Sequence, residues 1–583
     1  MDKKISYLSG VDRPNGPWTL DEYELKSYSY WMTYDPIHEP EPIPPFVATT
    51  WGFWHQHGYI YAAEFVAHPA TKGVSCRTSN EGYMALSAAV APKPDEVPAR
   101  AAKFEEFKRK LIANFEDYWG DFRYKGKVGK DLRALQELYA RAGIFDLNTW
   151  TASYERFRSK LAKLSNGDLL DLLIDSVEVI VRKAWETHFT FMYTTFTTYM
   201  DFEKLCLDLL GFDDRSKEFQ TMVKGFDNMV YHCDEWLWKL TYLAMDLGLK
   251  DVFVTTPEGK LMSKLEETEN GRKWLEEFKA FLDVHGIRLA QTSSNMMFNY
   301  PTWAEKPEFA LAKVKNYIAS PIDYKAERQK IAKEREKAIA EALERIPSAK
   351  RREFKEHLQA AQIAYCWNED HNYWIEMMGF ALARWVALEM GRRMKEAGAI
   401  ADPYDVMYFG FEELKALYMP AVYGVYDFHE FVERRKRMLS PTRPPLVTGE
   451  WKREEVKDPV MLKIFGLGPV LKALEKVDLV GYPGAPGVVE GVARVVLTPE
   501  ELDRVGSGEI LVTGATGPPW SFVFSRLAGV VTDMGGTLTH AAIMAREYGI
   551  PAVVGTGEAT KVIKDGQRIR IDGNRGYVWI LGK

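Results

Sequence analysis

The spacing of apolar residues changes once along this chain, near Gly481, and that change constrains the fold more than any single residue does. From "PDEVPARAAKFEEFKRKLIANFEDYW" at 94–119 onward, apolar residues recur three and four positions apart with charges between them. That is the period of an amphipathic helix, and it predicts a large, mainly helical domain over 96–438. Beyond Gly481 the pattern becomes short runs, "VVEGVARVVL", "EILVTG", "GVVTD", "PAVVG" and "RIRIDG", separated by Gly and Pro turns. With one helical stretch at 540–548, these runs predict a small α/β domain over 481–583. The expected class is therefore α+β and multidomain. A length of 583 residues agrees, because single cores stop growing well below it.

Two segments flank the helical domain. Residues 1–95 are rich in aromatics, and "HEPEPIPPF" at 38–46 is proline-dense, so an irregular segment packed over the helices is expected there. After "LSPTRPPLVTGEWKREEVKDP" the composition shifts, which makes 439–480 the expected linker. Within the helical domain, Phe189, Met192, Tyr193, Phe196, Tyr199 and Met200 keep helical spacing through the threonines of "TFMYTTFTTYM". Residues 322–346 read as a long exposed helix, and "RRKR" at 434–437 as a solvated helix end.

Charge and cysteine usage remove several functions. With 76 basic and 82 acidic residues there is no polycationic footprint, so no nucleic-acid partner is expected. Cys76, Cys206, Cys233 and Cys366 form no CxxC pair, which fits a reducing cytoplasm better than a disulfide framework. No export signal or membrane-spanning run is expected either. Aromatic residues reach 13%, enough for a core and for pockets that take flat ligands.

The chemistry concentrates in "DMGGTLTHAAIMAREYGIPAVVG" at 533–555. A strand ending at Asp533, a turn through Gly535 and Gly536, and a helix opening at Thr539 place His540 at a helix start. Free backbone amides there favour an anion and disfavour a proton on the ring, leaving a neutral nucleophile. Ala541 and Ala542 leave room for a phosphoryl group, and Arg546 can neutralise its charge or pair with Glu547 or Asp533. On spacing alone, a histidine capping its own helix is an equal alternative.

The motif resembles the active-site signature of the swivelling phosphohistidine domain of phosphoenolpyruvate-utilising enzymes, and the resemblance extends over 481–580 through "GYPGAPGVVEGVARVV", "GEILVTGATGPPW" and "GEATKVIKDGQRIRIDGNRGYV". It implies that His540 is transiently phosphorylated. Leu538 stands where synthase and dikinase members usually carry Thr, and "TGPPW" at 516–520 replaces the usual "TDPxW". The "LTH" form is closer to the branch that acts on rifampin and phenol.

The same resemblance shapes the rest of the chain. Residues 352–417 resemble the acceptor-binding domain of rifampin phosphotransferase and the histidine-bearing subunit of phenylphosphate synthase; "PPFVATTWGFWHQHGYIYAAEF" at 44–65 resembles the latter. Residues 1–480 show no ATP-grasp pattern, and no phosphoenolpyruvate barrel is expected after His540. The implied arrangement therefore places ATP and Mg²⁺ on a separate ATP-grasp subunit, with a small aromatic alcohol as acceptor. The reaction so implied turns ATP, phenol and water into phenyl phosphate, AMP and phosphate. Another alcohol or an antibiotic is the alternative acceptor, and a phospho-accepting scaffold the alternative class.

Three clusters can supply an aromatic slot and a base. His55 and His57 sit among Trp51, Phe53, Trp54 and Tyr59, and with no third ligand evident the pair suggests an aromatic pocket or core and no metal. Glu369, Asp370 and His371 adjoin one another, so that a carboxylate can orient and activate the histidine, unless they only begin a charged helix. His188 lies on an aromatic stripe where a core histidine is the commoner outcome. Arg384, thirteen residues beyond His371, can steer a phosphoryl group or pair with Glu389.

Overall fold

The computed structural model describes residues 5–6, 30–32, 35, 41–79, 82–87, 89–113, 129–289, 300–319, 324–439, 447–449, 458, 462–466 and 472–582. Five helices position the site: α1 (Phe53–Phe65), α2 (Arg182–Leu210), α3 (Arg351–His371), α4 (Met378–Glu396) and α5 (His540–Tyr548). No described helix is long and apolar enough to cross a membrane.

The expectation of irregular chain up to residue 95 fails over 45–65. A short helix at Pro45–Val47 and a π-helical turn at Ala48–Gly52 run directly into α1. Proline is tolerated here because Pro45 occupies the first helical turn, where its missing N–H has no partner to lose. Gly58 lets α1 lie close on α2, since a Cβ there would stand 2.6 Å from the Trp185 carbonyl oxygen. The part of "HEPEPIPPF" at 38–40 lies outside the described residues.

The threonines of α2 are helical despite their strand preference. Thr194 and Thr198 donate to the carbonyls of Phe191 and Thr194 at 2.8 and 2.7 Å, so their hydroxyls are satisfied inside a buried helix. The long charged helix spans Tyr324–Arg345, and Arg335 ties it to the carbonyls of Lys224 and Gly225. The "RRKR" run is not uniformly solvated. Arg435 is fully buried and paired with Glu413, as burial of a guanidinium requires.

The C-terminal unit is built on one eight-stranded sheet. Its strands are β1 (Leu479–Val480), β2 (Tyr482–Ala485), β3 (Val488–Val495), β4 (Ile510–Thr513), β5 (Gly529–Thr532), β6 (Ala552–Val554), β7 (Arg568–Asp572) and β8 (Tyr577–Ile580). The order is β1-β8-β7-β3-β4-β5-β6-β2, with β3 to β6 parallel and the flanking pairs antiparallel. Alternate residues serve opposite faces: Leu511 and Val530 join the core under α5, while Val512 and Val531 join the core on the other side.

This unit shares its core with the helices. Met534, Leu538 and Ile543 pack into the large helical core, and Val230 of the helical domain packs into the core under α5. The described parts of 439–480 are held in place. Val447–Gly449 pairs with Tyr30–Met32, and Asp458 accepts hydrogen bonds from Tyr59 and Tyr193 at 3.2 and 2.9 Å.

Candidate functional site

The glycine turn is clamped by residues 463–465. The amides of Gly535, Gly536 and Leu538 donate to the carbonyls of Phe465, Ile464 and Lys463 at 3.4, 2.9 and 3.1 Å. Gly535 has φ +128°, and a Cβ on Gly536 would stand 2.5 Å from the Lys463 carbonyl oxygen, so both glycines are required by the backbone path. Thr539 closes the turn with a 2.8 Å bond to the Gly536 carbonyl. Thr537 donates to Asp214 of the helical domain at 2.6 Å, and the Lys463 ammonium lies 2.5 Å from the same carboxylate and 2.9 Å from Glu203.

His540 is the first residue of α5, as its sequence context predicts, but its ring does not cap the helix. Nδ1 lies 3.1 Å from Glu369 Oε2, and Nε2 lies 3.3 Å from the Ser521 hydroxyl. A carboxylate only accepts, so the shared proton sits on Nδ1 and the Nε2 lone pair is the nucleophilic position. Glu369 belongs to α3, so the imidazole is oriented by a residue from the other domain. Asn368, beside it, donates to the Leu538 carbonyl at 2.9 Å.

Arg546 pairs with neither Glu547 nor Asp533. It is fully buried beneath the turn, donating to the carbonyls of Gly484, at 2.8 Å, and Thr537. Glu547 instead accepts from the Gly225 amide and the Tyr231 hydroxyl, and Asp533 from Thr560. Arg546 thus fixes the turn that presents His540.

The neighbours Glu369, Asp370 and His371 diverge, because consecutive helical residues point in different directions. Their side chains are buried in mid-protein, which sets the charged-helix-start reading aside. Asp370 does not orient His371; it accepts the Met229 amide at 2.5 Å, at the start of the helix Met229–Asp246. His371 is oriented by the Trp367 carbonyl, 3.0 Å from Nδ1, and its Nε2 faces Glu376 Oε1 at 3.5 Å. Burial first, and the adjacent His188, push its pKa down to about 4 against the pull of Glu376. His188 Nδ1 lies 2.5 Å from the same Glu376 oxygen.

Glu376 went unnoticed in the sequence because it lies five residues after His371. In an α-helix that spacing separates the two faces, but Asn372–Met377 is a π-helical turn, whose wider register returns the fifth residue to the same side. The ligand atoms of His188, His371 and Glu376 lie within 4.8 Å of one another, a group that can hold a metal ion.

The remaining candidates separate. His55 stacks on Trp51 at 4.3 Å, meets Trp185 and Phe189 edge-on, and contacts Cys76 Sγ at 2.8 Å. His57 turns toward Glu186 at 3.0 Å, with Trp54 edge-on to it at 5.4 Å. Arg384 forms a two-pronged pair with Glu305 at 2.9 and 2.8 Å, correcting the expected Glu389, which takes Arg392 and Arg393. Ser521, Asp214 and Lys463 had no local signal, since only the folded chain brings them to the turn.

Two family comparisons meet at this contact. Residues 505–576 match the mobile domain of PEP-utilising enzymes. Residues 187–369 match the fourth domain of rifampicin phosphotransferase. His540 and Ser521 lie in the mobile domain, and His188 and Glu369 in the other segment. A chondramide synthase of Chondromyces crocatus is 32% identical over 416 residues, 68% of this chain and 10% of that protein. An uncharacterised phosphotransferase, YvkC, of Bacillus subtilis (strain 168) is 28% identical over 407 residues, 69% of this chain and 48% of that one. The rifampicin phosphotransferase of Streptomyces sviceus is 31% identical over 348 residues, 55% and 36% of the two chains. The chain thus spans about half or less of the length of these relatives.

Proposed function

We propose that this chain is the phosphohistidine-carrying component of a phosphotransferase, with His540 Nε2 as the carrier atom and a small aromatic alcohol as the acceptor. The observation that carries the reading is the His540–Glu369 contact. It fixes the Nδ1 proton across the domain boundary and leaves the Nε2 lone pair for phosphorus. Two of the three named relatives are phosphotransferases, which supports the reaction class. The aromatic interior around Trp51, Trp185, Phe189 and His371 supports a flat acceptor.

In this reading a separate ATP-grasp subunit in the cytoplasm charges His540 using ATP and Mg²⁺, as in phenylphosphate synthase, and the mobile domain then docks as described. ATP, phenol and water give phenyl phosphate, AMP and phosphate. The test is labelling: with the partner subunit and β-³²P-labelled ATP, acid-labile label appears on His540. Absence of label, or equal label in His540→Ala, overturns the proposal. The similarity to rifampicin phosphotransferase favours, as a second reading, a larger polycyclic hydroxyl acceptor; a panel of phenol, cresols, rifampicin and aliphatic alcohols separates the two.

A further inference from the structure

The cluster of His188, His371 and Glu376 stands apart from the His540 contact and brings three ligand atoms within 4.8 Å of one another. Glu376 is 1% exposed, and a carboxylate so deeply buried needs compensating positive charge. What faces it from His371 is a lone pair. The Nδ1 proton of that ring is committed to the Trp367 carbonyl, so in the neutral ring the lone pair is on Nε2, 3.5 Å from a carboxylate oxygen. Two acceptors facing one another repel unless a cation or a donor lies between them.

The geometry suits a cation. Around a tetrahedral ion with bonds of about 2.1 Å, donor atoms stand roughly 3.4 Å apart, close to the His371–Glu376 separation. His188 Nδ1, 2.5 Å from the same oxygen at hydrogen-bonding distance, completes the group once metal binding displaces the proton between them. A backbone carbonyl on the far nitrogen of His371 is the usual outer support of a ligating imidazole. The surrounding shell is apolar: Phe191 stacks on His371 at 5.3 Å, and Trp185 and Phe189 meet His188 edge-on at 5.0 and 4.7 Å. The π-helical turn that delivers Glu376 is a local irregularity of a kind that recurs at functional sites.

We propose that His188, His371 and Glu376 bind one divalent first-row transition-metal ion of the Zn²⁺ class, leaving an open position for an oxygen ligand. Two imidazoles and one carboxylate select such an ion over Mg²⁺, which demands oxygen donors. That the oxygen ligand is the acceptor hydroxyl, made more acidic as metal-bound water is, rests on the function proposed above; the metal site itself does not.

The full chain, stripped with a chelator and re-equilibrated separately with Zn²⁺, Co²⁺ or Mg²⁺, tests this by metal analysis after gel filtration. One equivalent of Zn²⁺ or Co²⁺ is retained and Mg²⁺ is not, and His371→Ala and Glu376→Gln bind at least about tenfold more weakly. His57→Ala and His540→Ala keep the full equivalent, so loss of phosphoryl labelling and loss of metal are independent readouts. Wild-type protein that retains neither Zn²⁺ nor Co²⁺ overturns the proposal whether or not the variants fold. Full retention in folded His371→Ala and Glu376→Gln, or a thiolate signature in the Co²⁺ spectrum, overturns it as well.

Discussion

His540 and His371 are both largely buried imidazoles on helices, but one stands at a helix start and the other at a helix end. The turn that presents His540 comes from one short stretch, a strand end, two glycines and a helix opening, while its ring meets Glu369 and Ser521 from elsewhere. The surroundings of His371 are gathered from residues 188, 191, 367 and 376, and depend on a π-helical turn. His540 is thus presented by a local turn and takes its orienting carboxylate from the helical domain. A stationary site can draw on the whole fold.

The largest effect expected from this contrast is on the local site. Arg546→Ala leaves two buried carbonyls without their donor, at about 1–3 kcal/mol each, so roughly 3 kcal/mol or more is lost from mobile-domain stability. Urea unfolding followed by amide hydrogen exchange of α5 and strands β4 to β6 reads it. Unchanged stability with slower labelling would instead assign Arg546 to the phosphoryl group.

Next is the borrowed carboxylate. Glu369→Gln keeps His540 chargeable but slows transfer to the acceptor about 10- to 100-fold, the usual cost of removing a group that orients an imidazole. Single-turnover transfer from pre-labelled protein measures this. If charging falls as much as transfer, Glu369 acts on the turn as a whole and the contrast between local and borrowed parts fails.

The smallest effect is a pH dependence at the domain boundary. Burial and the neighbouring Asp214 raise the pKa of Glu203 from 4.5 to about 7, while Asp214, held by Lys463 and Thr537, stays ionised. A raised carboxyl stabilises the folded protein fully below its ordinary value, and that contribution is lost as pH rises through about 7. The melting temperature therefore falls between about pH 4.5 and about pH 7.5 and levels off above that, and Glu203→Gln flattens the profile. A wild-type profile as flat as that of the variant would count against it.

Legibility in the sequence followed the same division. The helix at His540, the strands around it and the threonine-rich α2 were readable because period and turn chemistry are local properties. Helix at 45–65 is not legible because its prolines signal a break, whereas Pro45 sits where proline is tolerated. Glu376 escaped because a spacing of five has no meaning until the helix widens. Adjacency points to Asp370 as the partner of His371, but the carboxylate that meets His371 is brought there by the irregular turn.

The strap at 462–466 bonds the glycine turn through its main chain and the helical domain through the Lys463 ammonium. A mobile domain that leaves on this strap never becomes a free solute. Its return is intramolecular, at an effective concentration that short tethers set in the millimolar range. Docking can then be weak in absolute affinity and still occupied most of the time.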